Sequence, residues 1–139
     1  MTSKEPPTTS VIPASHQDLL EARVATLATV GADGWPQVSE VWFLAESDAI
    51  RLSLNTSRQK VRNLARHPAC TLFILDVANT FRYLELRCEA ALEPDADYRF
   101  ADLVGAKYDA DLRVHDAPGQ PRLKVTLAVR KVNAVNMGG

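Results

Sequence analysis

The chain has only two cysteines and three histidines among its 139 residues, and none of them is spaced to hold a metal. Cys70 and Cys88 lie inside apolar, strand-like runs with no second ligand nearby in sequence, so both read as buried thiols. His16, His67 and His115 fall outside HExxH or any related pattern, which argues against zinc hydrolysis, and His16 reads as a surface residue without a role. GxSxG and Walker A strings are missing too, so no nucleophile elbow or P-loop is present. No residue identifies itself as a catalytic acid, base or nucleophile, and the chemistry of an enzyme built this way belongs to a cofactor.

Long hydrophobic runs are also lacking. None approaches the ~20 residues that span a bilayer, and the opening MTSKEPPTTS has no apolar signal-peptide core, which predicts a cytoplasmic protein with no membrane partner. The formal net charge of -1 removes any bulk attraction to nucleic acid, so a basic site has to be local. What is present suffices for one globular core: 46% apolar and 24% charged residues, in a chain of single-domain length. The Pro, Ser and Thr of residues 1–12 predict a flexible N-terminal arm, leaving 13–139 as the domain.

An amphipathic helix is expected over 13–22, carried by Leu19 and Leu20. VATLATV at 24–30, the turn residues 31–34 and WPQVSEVWFL at 35–44 form a β-hairpin pattern, with Pro36 near the turn because it cannot donate to a ladder. Residues 50–55 alternate Ile50, Leu52 and Leu54 against Arg51, Ser53 and Asn55. ACTLFIL at 69–75 reads as a buried strand, and 81–92 alternates again. Helical spacing returns over 94–108, with Tyr98, Ala101, Leu103 or Val104 and Ala106 on the packed face; 109–121 is a surface loop, and 122–135 closes as a strand. Six mostly antiparallel strands with short connections predict a mainly β (α+β) fold, a small closed or nearly closed barrel flanked by short helices.

One stretch breaks an electrostatic rule. In SLNTSRQKVRNLARHP, at 53–68, Thr56 and Ser57 are placed to cap a helix whose buried face is Val61, Leu64 and Ala65. Its first turn carries Arg58, Lys60 and Arg62, where the helix dipole favours acids. A phosphate at the free N–H groups would reverse that repulsion; a solvated basic helix is the alternative. Wheel spacing separates Lys60 from the row Arg58, Arg62 and Arg66, so Lys60 with Arg58 is the better phosphate pair.

The strings ATLATVGADGWPQVSEVWF, KVRNLARHP and FRYLELRCEA, then Lys107 and Tyr108, then the strand from Arg122, occur in an order that resembles the pyridoxamine-phosphate-oxidase-like split-barrel superfamily. Within it the chain is most similar to the deazaflavin (coenzyme F420)-dependent oxidoreductases. The resemblance implies an FMN-binding type of split barrel and a homodimer with cofactor sites at the interface. It places the cofactor phosphate on Arg58 and Lys60, with Ser53, Asn55 and Thr56 beside it, and the ring system along Pro36, Gln37 and Val38. Phe81 would reach the cofactor from the other subunit, and Arg122 its polar tail. The implied activity is hydride transfer from reduced coenzyme F420 to a conjugated small-molecule acceptor. An FMN-dependent oxidase or reductase and a non-catalytic flavin or deazaflavin carrier are the other readings. Trp35 departs from the long polar residue usual after the turn glycine and Cys88 from a frequent glycine, while Trp35 and Trp42 read as core or dimer-interface aromatics.

Overall fold

The computed structural model describes residues 11–138. Most of the N-terminal arm, residues 1–10, lies outside them, but Ile12 is already buried, so the packed core starts before Pro13. The expected amphipathic helix forms as a 3₁₀ helix, Ala14–Glu21, and it buries His16 together with Leu19 and Leu20. His16 is therefore not a surface residue: its ring bonds the Val135 carbonyl at 2.9 Å and the Ser15 hydroxyl at 2.8 Å. Arg82 fastens the same helix by pairing with Asp18 and donating to the Ser15 carbonyl at 2.8 Å, and it is itself held by Asp76 at 3.0 Å.

The strands are β1 (Ala25–Val30), β2 (Pro36–Val41), β3 (Leu44–Ala45), β4 (Ile50–Asn55), β5 (Ala69–Leu75), β6 (Arg82–Pro94) and β7 (Arg122–Asn136). They form one antiparallel sheet in the order β2-β1-β5-β6-β7-β4-β3. The expected mainly β split-barrel class stands, with seven strands instead of six. The difference lies in 35–44: Pro36–Val41 pairs with β1 at one edge, whereas Leu44–Ala45 pairs with β4 at the other. Only Trp42 and Phe43 join the two edges, so the sheet has to curl until they approach. A register shift at Arg87/Cys88, within the long β6–β7 pairing, contributes to the curl.

At that crossing the backbone leaves both ladders, and its polar groups need other partners. They come from the end of α2 (Arg99–Tyr108): Phe43 N–H donates to the Tyr108 hydroxyl at 3.0 Å, and the Phe43 carbonyl accepts from Lys107 Nζ at 2.8 Å and from Tyr108 at 3.1 Å. The helix begins later than 94, because β6 runs on to Pro94, and its buried face is Phe100, Ala101, Val104, Gly105 and Tyr108, with Leu103 and Ala106 exposed. Gly105 is required by close approach: a Cβ there would lie 2.3 Å from the Ala110 carbonyl oxygen. Gly105→Ala is expected to destabilise the fold by about 1–3 kcal/mol through this overlap, read as a lower urea midpoint.

Inside the curl, Phe43, Leu52, Leu72, Leu86 and Leu127 are fully buried. Cys70 and Cys88 face each other across β5 and β6 at the edge of this core, and burial pushes both thiols up to about 12, so they stay protonated and unreactive at neutral pH. Among the described residues no helix is long and apolar enough to cross a membrane, and no cluster of His, Cys, Asp and Glu is placed to hold a metal.

Candidate functional site

Helix α1 (Gln59–Arg66) packs on β1, with Val61, Asn63 and Leu64 buried. Ala65, expected inside, is exposed; Asn63 takes its place in the interface. The Asn63 amide donates to Thr29 at 3.0 Å and Gln37 at 3.2 Å and accepts from Gln59 at 2.8 Å, so it ties β1, β2 and the helix together. Capping departs from expectation too. The N-cap is Arg58, in extended conformation and without a side-chain cap bond. Thr56 instead gives both its N–H and its hydroxyl to the Pro121 carbonyl, each at 3.1 Å.

A cleft of about 450 Å³ opens beside this helix start. It gathers Ser53, Asn55, Arg58, Lys60 and Arg122 of the expected site, and adds Trp42 and His115. The cations in it are not equivalent. Arg122 is buried and committed: Nε and Nη2 donate to Asp116 at 2.8 and 3.0 Å, and Nη1 reaches the Ser53 carbonyl and hydroxyl at 3.2 Å. The side-chain cations of Arg58 and Lys60 have no hydrogen-bond or ion-pair partner among the described residues. Burial, and after it the charge of Arg58, holds the Lys60 ammonium below its ordinary range. Both effects penalise the bare cation, and an anion beside it would relieve them. Arg62 folds back onto Ser57 and Gln59 of its own helix start.

The 109–121 loop contributes Leu112 and His115 to the lining of the cleft, and Asp116 fixes it. This carboxylate accepts from Arg122, from Asn55 at 2.7 Å and from the Tyr98 hydroxyl at 2.7 Å. Burial alone would raise its pKa, but the hydrogen bonds from Arg122, Asn55 and Tyr98 outweigh that and hold it below the usual carboxylate range. Asn55 is saturated in turn, with its carbonyl oxygen taken by Ser57 N–H and its amide also bonded to Gln120 at 3.1 Å.

The remaining expected residues lie elsewhere. Gln37 is tied to Asn63, Val38 projects from β2 with 62% exposure, and Pro36 lines a separate depression with Ala28, Thr71 and Arg87. Phe81 is exposed at the turn into β6, beside Gly138. Trp35 is 74% exposed and so not a core residue, whereas Trp42 is half-buried and faces the cleft. Asn63, His115 and Asp116 were not singled out by the sequence pattern. A lone His, and an Asp among turn formers, carry no periodic signal, and Asn63 is masked by the apolar spacing around it.

The family model for pyridoxamine 5'-phosphate oxidase matches residues 12–136. Among solved structures, an F420 reductase is 31% identical, superposes with a TM-score of 0.78, and is covered over 98% of its length by 88% of this chain. A conserved hypothetical protein from Mycobacterium tuberculosis shares 22% identity at a TM-score of 0.73, over 97% of this chain and 90% of that one. HutZ, the heme storage protein from Vibrio cholerae, shares 17% at 0.68, over 87% and 92%; both show the fold alone. No curated protein matches the chain. A match over nearly the whole described length, on a curled antiparallel sheet with a cationic cleft at the gap between its edges, means that the chain belongs to the pyridoxamine 5'-phosphate oxidase family.

Proposed function

We propose that this protein is an oxidoreductase that binds coenzyme F420 and passes a hydride from its reduced form to a conjugated small-molecule acceptor. The observation that carries the reading is the pair Arg58 and Lys60, unpartnered among the described residues, at a helix start that lacks acids. A group with a phosphate fits there, since the backbone donors of the first turn, the dipole and both side chains favour an anion. The 31% identity to an F420 reductase supports the deazaflavin over other phosphate-bearing rings.

When bound, the reduced deazaflavin supplies the hydride at C5. The chain's part is placement. Lys60 and Arg58 hold the phosphate, with Ser53, Asn55 and Thr56 shaping the strand end beside it; Asn55 and Thr56 act through the loop contacts described above. Pro36, Gln37 and Val38 offer the edge of β2 to the ring, and Gln37 is held for this by Asn63. Phe81, exposed at the turn into β6, is left to reach the cofactor of a second copy of the chain, in a homodimer with cofactor sites at its interface. Arg122, already paired with Asp116, acts on the site by holding its wall and not as a free cation. The protein works in the cytoplasm on this reading.

Fluorescence titration with F420 and with FMN tests the proposal. Saturable F420 binding, with FMN at least tenfold weaker, is the expected result. Tight FMN binding without F420 binding would make it an FMN-dependent oxidase or reductase. F420 binding without turnover on quinone or tetrapyrrole acceptors would favour a carrier.

A further inference from the structure

Three side-chain amides between α1 and β2 are joined head to tail, and the group at the head of the row decides which way all of them face. Arg62 carries only donors, and its Nη2 donates to Gln59 Oε1 at 2.8 Å. Gln59 therefore turns its Nε2 to Asn63 Oδ1, at 2.8 Å. Asn63 in turn sends its Nδ2 to Gln37 Oε1 at 3.2 Å and to the Thr29 hydroxyl at 3.0 Å. The Thr29 hydroxyl adds a second donor to Gln37 Oε1, at 3.3 Å. Reversing any one amide would set N–H against N–H or oxygen against oxygen along the row, and Asn63 and Thr29 are buried where solvent does not repair the mismatch. The carbonyl oxygen of Gln37 is thereby spent, while its Nε2 has no partner among the described residues. Gln37 is half-buried on β2, so its N–H2 is a donor with a fixed direction.

We infer that Arg62, Gln59 and Asn63 form a positioning relay that fixes Gln37 as a hydrogen-bond donor, directed at a carbonyl oxygen of the cofactor ring along β2. The inference rests on the reading that a flavin-type ring lies there, and it gives that reading a polarity: this edge of the sheet recognises an acceptor and not an N–H. It also gives Arg62 its part. Of the three cations in the first turn, Arg62 alone has side-chain partners among the described residues, the Ser57 carbonyl and Gln59, and it orients an amide on the sheet instead of holding the anion.

Gln59→Glu tests the relay from its exposed end. A carboxylate accepts from Arg62 and from Asn63 alike, so Asn63 turns its Oδ1 toward β2, and Gln37 has to turn its N–H2 inward and its oxygen outward. An acid at the first helical position suits the dipole, so the urea midpoint should match or exceed the parent's. Gln37→Ala should weaken F420 about threefold to tenfold, the range for one hydrogen bond. Gln59→Glu should weaken it at least as much, since its charge also opposes the phosphate. In a Gln37→Ala background only that charge effect remains, and the same substitution should cost at least threefold less. The visible absorption band of bound F420 should shift in the same direction in both single variants, which a loss of general support would not produce. Arg62→Lys keeps a donor-only head and should bind F420 within about twofold of the parent. Equal F420 affinity in Gln37→Ala and its parent, or a Gln59→Glu loss of the same size in both backgrounds, would overturn the relay. Tight FMN binding without F420 would overturn the choice of cofactor alone, because the same comparison then runs with FMN, whose ring carries the same carbonyls. Absence of binding by either would overturn both.

Discussion

Lys60→Ala is expected to lower affinity for F420 by about 1.5–3 kcal/mol, roughly tenfold to a hundredfold, the range for hydrogen bonds to a charged group. The effect should be large because Lys60 is half-buried and its ammonium has no partner among the described residues, so a bound anion would offset its desolvation. Fold stability should hold or rise slightly, since the substitution removes a cation disfavoured by burial and by Arg58. That opposition of signs is the useful part. A residue that merely supported the fold would lose affinity and stability together. Isothermal titration beside a urea melt reads both, and unchanged F420 affinity in Lys60→Ala would remove the phosphate from this helix start.

Asp116→Ala should have the largest effect on stability, about 3–5 kcal/mol, because it leaves the buried Arg122 guanidinium without its counter-charge. Such a loss is a large share of the whole stability of a domain this size. Tyr98 and Asn55 lose their acceptor in the same step, so the loop carrying His115 should loosen and cofactor affinity should fall indirectly. The pair also predicts a pH dependence. The folded Asp116 pKa lies below the ordinary 3.8, so its stabilisation is fully present above about pH 5 and is lost as pH falls through the folded value. Asp116→Asn should therefore flatten part of the acid limb of a stability profile measured from pH 6 to pH 2. An unchanged acid limb, with Asp116→Ala as stable as the parent, would show that the loop is not held this way.

Lys60 and Asp116 differ in how far each could be found in advance. Lys60 announces itself, because a basic first turn after an alternating strand contradicts the helix dipole, and local sequence is enough to see the conflict. Asp116 sits among turn formers, sixty-one residues from Asn55, and its importance depends on three donors from separate parts of the chain. The capping expectation failed for a related reason. Thr56 and Ser57 are suitable caps by residue type, but Thr56 found a better partner in the Pro121 carbonyl, which local sequence cannot reveal. His16 was misplaced because a polar residue in a short amphipathic segment looks external until the Val135 carbonyl is brought over it.

The strands are legible in the chain alone, since alternation of apolar and polar residues has period two and survives any rearrangement of their neighbours. So are the basic helix with its unmatched charge and the strings that mark the family. Where the 35–44 run breaks is not legible there, because the break is imposed by curling: Trp42 and Phe43 have to cross from one sheet edge to the other, and the end of α2 has to satisfy the backbone they expose. Long-range folding also sets which cations remain available. Charge is a property of the residue, but freedom to bind depends on what else has folded beside it; Asp116 occupies Arg122 and leaves Arg58 and Lys60 facing the cleft.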